Sequence, residues 1–205
     1  MTKINIISIV LIMAIAGGCV IVKHEEEQPP PPVLEFSPTP EMEMSDVMVR
    51  SDDGDMVAFL PKDWFLVNLE GDSPVDVIAV ATNKEYTIAL IFSKIRKSKK
   101  NDEIVAREGL LGLARIALDR RSDKTAGAVR LAGKYSEISM GPRKFAKYEF
   151  TNSDLGLRGI SAVLISSLDN YYEVSVIPMN LTGIVPVTQY DLDRVFSSVL
   201  ATVQY

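Results

Sequence analysis

Cysteine and histidine each occur once in this sequence, and both scarcities exclude chemistry. One thiol, Cys19, permits neither an intramolecular disulfide nor a zinc centre built from several thiolates. His24 is the only imidazole and lies close to the N-terminus, so a histidine base for a serine or cysteine nucleophile has no source elsewhere. No glycine-rich loop that could cradle a phosphate is present, since Gly109 and Gly112 fall inside a helical stretch. Positive charge is also short. The formal net charge is -5, which disfavours nucleic acid or any other general polyanion as a partner. What the chain has is core-forming material: 47% hydrophobic and 24% charged residues are the proportions of one folding domain rather than of a disordered chain.

The N-terminus has a different character. Lys3 precedes an apolar run from Ile4 to Ala16, shorter than the roughly 20 residues needed to cross a bilayer as a helix. A short charged region followed by such a run is the layout of a signal peptide. Ala16-Gly17-Gly18-Cys19 follows it and resembles the lipobox of bacterial lipoproteins, with Ala16 standing where Leu is usual. That resemblance implies a signal peptide over residues 1–18 and a lipid on the Cys19 thiol, hence a protein held at a membrane by acyl chains. The alternative, an uncleaved anchor helix continuing through Val20 to Val22, is cut short by Lys23, His24 and Glu25 to Glu27. Removal of the leader takes away only Lys3 and leaves a net charge of -6. In the enterobacterial sorting rule an Asp after the modified Cys retains the protein at the inner membrane; Val20 favours the outer membrane if the source has two.

Residues 19–44 read as the lipidated Cys and a proline-rich linker. Pro29 to Pro32, Pro38 and Pro40 favour extended polyproline geometry and cannot join a packed helix or a central strand. From residue 45 to 205 the pattern becomes that of a globular domain. Strands are expected over 46–51 and 56–60 around the turn Asp52-Asp53-Gly54-Asp55, then over 75–81 and 86–93. A helix follows over 102–121, then strands over 129–139, 143–152, 157–168 and 171–177, the last two joined at Asp169-Asn170. Leu192, Val195, Phe196, Val199, Leu200 and Val203 repeat at helical spacing and predict a closing helix over 188–203, with Thr188 or Asp191 suited to cap it. The fold class is α+β: an antiparallel sheet flanked by helices. This element order, with Phe59-Leu60-Pro61-Lys62-Asp63-Trp64 near its start, resembles the PsbP-like fold, an α/β/α sandwich that includes envelope lipoproteins of the DcrB kind. The resemblance implies a non-enzymatic accessory or binding domain and supplies no catalytic residue.

Two clusters remain. Asp52, Asp53 and Asp55 have oxygen ligands for Ca²⁺ but lack the twelve-residue loop and terminal Glu of an EF-hand, so a solvated turn is expected and no metal or cofactor is assigned. Lys94, Arg96, Lys97, Lys99 and Lys100 place five cations in seven residues of an acidic chain. They read as a solvated loop, or as a contact for an anionic surface or an acidic envelope partner. The function expected is therefore a lipid-anchored, non-catalytic binding or scaffolding module for another envelope component. The rival is an envelope hydrolase using carboxylates or hydroxyls that only the fold brings together.

Overall fold

The computed structural model describes residues 33–69, 76–179 and 187–205. The expected leader, Cys19 and the four-proline run lie outside them. The described residues form eleven strands and two helices in chain order: β1 (Leu34–Glu35), β2 (Met44–Arg50), β3 (Val57–Pro61), β4 (Trp64–Leu66), β5 (Val77–Asn83), β6 (Ile88–Ile95), α1 (Lys99–Lys124), β7 (Val129–Leu131), β8 (Ser136–Met140), β9 (Arg143–Asn152), β10 (Leu157–Ile165), β11 (Tyr171–Pro178) and α2 (Gln189–Thr202). Nine strands form one sheet in the order β1-β8-β9-β10-β11-β6-β5-β4, with β7 also on β9; β2 and β3 form a separate hairpin. Every pairing is antiparallel except β1 with β8. Among the described residues no helix is long and apolar enough to cross a membrane.

Strand alternation explains the layers. Side chains two apart share a face, so Ile160, Ala162 and Leu164 of β10 and Tyr172, Val174 and Val176 of β11 meet α2 and the β2–β3 hairpin. Val163 and Tyr171, with Ala146, Tyr148 and Phe150 of β9, meet Leu113, Ala114, Ala117 and Leu118 of α1 on the other face. The result is the expected sheet between helices. Helix α2 has the expected apolar stripe buried, and both capping candidates act at once: the Thr188 hydroxyl accepts from the Asp191 N–H while the Asp191 carboxylate accepts from the Thr188 N–H.

Four expectations change. The linker does not extend to residue 44. Leu34 and Glu35 pair with Ile138 and Ser139, the Phe36 N–H donates to the Ser139 carbonyl at 2.8 Å, and the Glu41 and Met42 N–H groups both donate to Ser198 Oγ at 3.1 Å. Phe36, Met42 and Met44 gain burial against the core by docking, and an edge strand with neighbouring turns tolerates Pro38 and Pro40. The single strand expected over 129–139 is two, β7 and β8, separated at Gly133, whose φ of 95° favours glycine. The helix expected over 102–121 runs from 99 to 124 but is broken at Gly109 (φ 61°, ψ -144°). An added Cβ there meets nothing, so backbone conformation and not space requires the glycine. Strand β4, unexpected from sequence, closes the far edge of the sheet on β5.

Gly159 is required for space. It faces Phe150 across β10 and β9, and a Cβ there would lie 2.5 Å from the ring carbon Cζ. Gly159→Ala should destabilise the protein by about 1–3 kcal/mol through overpacking. In urea denaturation, its cost combined with Phe150→Leu should be less than the sum of the two single costs; strict additivity would show that the ring is not what the methyl meets.

Candidate functional site

At one end of the sheet β6 stops, β11 begins, and three connections meet. The first is the β2–β3 turn, where Asp55 points inward and is only 9% exposed. Its carboxylate accepts from Ser51 Oγ at 2.9 Å, Asn170 Nδ2 at 2.9 Å, the Tyr172 hydroxyl at 2.5 Å and the Ser166 hydroxyl. Burial alone would raise its pKa, but the four donors outweigh that and hold the carboxyl well below the usual range. Burial, with the same contact, pushes the Tyr172 phenol up to about 12. Asp55 therefore ties the β2–β3 turn to the β10–β11 turn and departs from the solvated-turn expectation. Asp53 extends the tie, accepting from Asn170 Nδ2 at 3.1 Å and pairing with Lys94. Among the described residues no group of three or more His, Cys, Asp or Glu is placed to hold a metal ion.

The third connection carries the basic cluster, and the fold divides it. Lys94 is half-buried and paired, and its carbonyl accepts from Arg120 Nη1 at 3.1 Å. Arg96, Lys97, Lys99 and Lys100 are exposed, and none has a carboxylate within 4.0 Å among the described residues. Ser98 caps α1 by accepting from the Asn101 N–H, so Lys99 and Lys100 stand in the first helical turn and not in a loop. Lys97 Nζ lies 5.2 Å from the centre of the Tyr171 ring, whose hydroxyl donates to Asp102 at 2.9 Å. Beside them the β10–β11 turn presents Leu168, 60% exposed.

Behind this end lies a buried ion network. Glu173 of β11 is 1% exposed and faces α1. It accepts from Arg121 Nη2 at 2.7 Å, Arg120 Nη2 at 2.8 Å and the Tyr148 hydroxyl. Arg121 also donates to Ser175 Oγ at 2.7 Å and stacks 4.5 Å from the Phe150 ring centre, while its buried Nε has no hydrogen-bond partner among the described residues. Arg120 and Lys124 both reach Asp76, which precedes β5. Burial would raise the Glu173 carboxyl, but the Arg121 and Arg120 charges and the Tyr148 hydrogen bond overcome it and hold the group down to about 2. Nothing marked these residues as a set beforehand. The available signal was a glutamate inside the apolar run of β11, a position that demands a cation from the covering helix.

A second concavity, a groove of about 440 Å³, opens between the segment after β1 and α2. Leu34, Phe36, Tyr190 and Phe196 line it with Lys147 and Asp193. Lys147 is already engaged, 3.1 Å from Glu149 and 3.9 Å from Asp193.

The chain is similar to cyanobacterial PsbP (CyanoP) from Synechocystis sp. PCC 6803, whose solution structure matches at a TM-score of 0.51 and 13% identity, covering 78% of this chain and 92% of that one. A crystal structure of a Bacteroides thetaiotaomicron protein is similar at a TM-score of 0.36 and 14% identity, over 77% of this chain and 47% of that one. No family model and no curated protein matches the sequence. The first likeness shows the fold: it is PsbP-like, a mixed α+β fold with a large antiparallel sheet and two helices.

Removing one partner of a buried, hydrogen-bonded pair strands the other charge, so Glu173→Gln should cost about 3–5 kcal/mol. The carboxyl's pKa is lower in the folded chain than its ordinary value of 4.5, so its contribution is complete above pH 4.5 and is lost as pH falls toward about 2. Urea midpoints measured across that window should fall less steeply with acid in Glu173→Gln than in the parent, although the variant is less stable throughout.

Proposed function

We propose that the chain is a lipid-anchored cell-envelope protein whose PsbP-like domain binds or scaffolds another envelope component and catalyses no reaction. One observation carries this reading: the fold uses its buried charges internally and leaves a group of cations on the surface. Asp55 is saturated by four donors and Glu173 by two guanidinium groups and a phenol. Neither has a free lone pair facing an open cavity for acid–base work, whereas Arg96, Lys97, Lys99 and Lys100 face outward at a pole fixed by three converging connections. An arrangement of this kind suits contact, in which a rigid surface presents charge, more than it suits turnover.

The anchor supports the same reading. The leader and the small residues before Cys19 suit lipidation, and Val20 suits the outer membrane in a two-membrane source. Because residues 33–44 belong to the domain, only residues 19–32 separate the lipid from it. Fourteen residues span at most about 50 Å in any conformation. The domain then works within that distance of the bilayer.

The test is the intact mass of protein extracted from membranes, compared with a Cys19→Ala variant, followed by crosslinking in the envelope. A mature N-terminus at Cys19 carrying acyl mass, absent from the variant, and one reproducible crosslinked partner are expected. Retention of Met1 with an unmodified Cys19 would overturn the anchor. Turnover of a defined substrate, abolished by replacing one residue of the groove beside α2, would overturn the non-catalytic reading in favour of a hydrolase.

A further inference from the structure

We infer that the pole of the domain rests on the bilayer itself, with Arg96, Lys97, Lys99 and Lys100 against anionic lipid headgroups and Leu168 entering the interface beside them. The inference rests on the lipid-anchored reading and names the surface that the exposed cations meet.

The pairing pattern along α1 is the first argument. Arg107, Arg115, Arg120, Arg121 and Lys124 each have a carboxylate within 4.0 Å, whereas Lys99 and Lys100 in the first turn have none among the described residues. Those two positions are electrostatically the worst on a helix for a cation, because the N-terminus carries partial positive charge. Asp102 in the same turn offsets part of this and also accepts from Tyr171. A fold that satisfies every other cation of the helix, but gathers four unpaired ones at its positive end, places them where an external anion relieves the repulsion. Local rules broken without an internal gain mark sites of external contact.

Leu168 gives the second argument. It is 60% exposed on the β10–β11 turn, two residues before Asn170, which donates to the Asp53 carboxylate of the Lys94 pair, and three before Tyr171, whose ring Lys97 faces. Basic residues beside an exposed aliphatic chain match a headgroup layer above an acyl boundary. The acids of the same end limit the strength. Asp53 is paired with Lys94, but Asp55 and Asp102 take hydrogen bonds from neutral donors and keep their charge; with Asp52, Glu103 and Asp169 they leave the end as a whole without an excess of positive charge, and only the 96–100 segment is locally cationic. Contact is weak and depends on the anchor. Reach permits it: β1 and β6 are five strand spacings apart, about 24 Å at the usual separation, within the span of residues 19–32.

Hydrogen exchange on the membrane-extracted protein, reconstituted into phosphatidylglycerol–phosphatidylethanolamine vesicles or into phosphatidylcholine alone, tests this. Amides of residues 96–100 and 167–169 should exchange about fivefold more slowly on the anionic vesicles, the equivalent of one near-surface cation's contribution. The protection should vanish in a Lys97→Glu, Lys100→Glu variant and weaken at about 0.5 M salt. Lys97→Glu gives up the contact with Tyr171, so the single Lys100→Glu variant, which keeps it and suits the helix dipole, should lose part of the protection with an unchanged urea midpoint. Equal exchange on the two lipids would overturn the inference. So would protection that appears only after envelope proteins are added, an outcome that supports a protein partner and leaves the binding reading standing. An unmodified Cys19 in the same preparation would instead overturn the anchor.

Discussion

The neutralisation of Glu173 is the constraint on which the rest of the domain depends. A carboxylate in the middle of a sheet face can be buried only if cations and hydrogen-bond donors come to it. Arg120 and Arg121 are adjacent on α1, and both must reach β11, so the rotation and axial position of the helix are fixed at that point. Arg120 then continues to Asp76 and to the Lys94 carbonyl, which ties the entry to β5 and the exit of β6 to the same helix. Phe150 completes the arrangement by stacking on Arg121, and Gly159 leaves the room for its ring. The apolar contacts of α1 supply most of its attraction to the sheet, but hydrophobic burial is non-directional. The ion network supplies the register.

Asp55 does the corresponding work at the end of the sheet. Its four donors come from the β2–β3 turn, the β10–β11 connection and the start of β11, and the first is more than a hundred residues from the others in sequence. With Arg120 holding the start of the β6–α1 connection and Asp55 holding the two turns beside it, the pole has little freedom to rearrange. Preorganisation of this kind lowers the ordering cost of a contact and so makes a weak electrostatic surface more effective.

Element order was legible in the sequence because the periodicities are clean. Strand alternation through β9 to β11 and the three-and-four spacing of Leu192 to Val203 each admit one reading, and β9 falls on the expected 143–152. What escaped has a physical reason in each case. Leu34 and Glu35 form a strand too short to show a period, embedded among prolines, and only the partner β8 makes it one. Gly109 breaks α1 through its backbone angle, which composition does not encode. Of the pole, the cations were legible as a run, but their division into a paired Lys94 and four unpaired residues was not, because Asp53 is about forty residues away. Glu173 and Asp55 were hidden for the same cause: a charge is classed as surface until the fold brings its partners.

The docking of residues 33–44 changes how the pole can act. A linker ending at residue 44 would allow the domain to wander about 80 Å from a lipidated Cys19 in polyproline geometry. On the proposed anchor, a linker ending at residue 32 allows at most about half that reach. With that anchor, the effective concentration of a planar bilayer around the pole rises roughly as the inverse of the reach, about twofold, which helps a weak interaction to orient a tethered domain. The cations of residues 96–100 and the exposed Leu168 would then suit the weak contact inferred above. A stronger basic surface would gain little for a domain that a lipid held, and it would attract every other polyanion nearby. Under that reading the pole would set which face of an anchored domain turns toward the membrane and which face, including the groove beside α2, turns toward a partner.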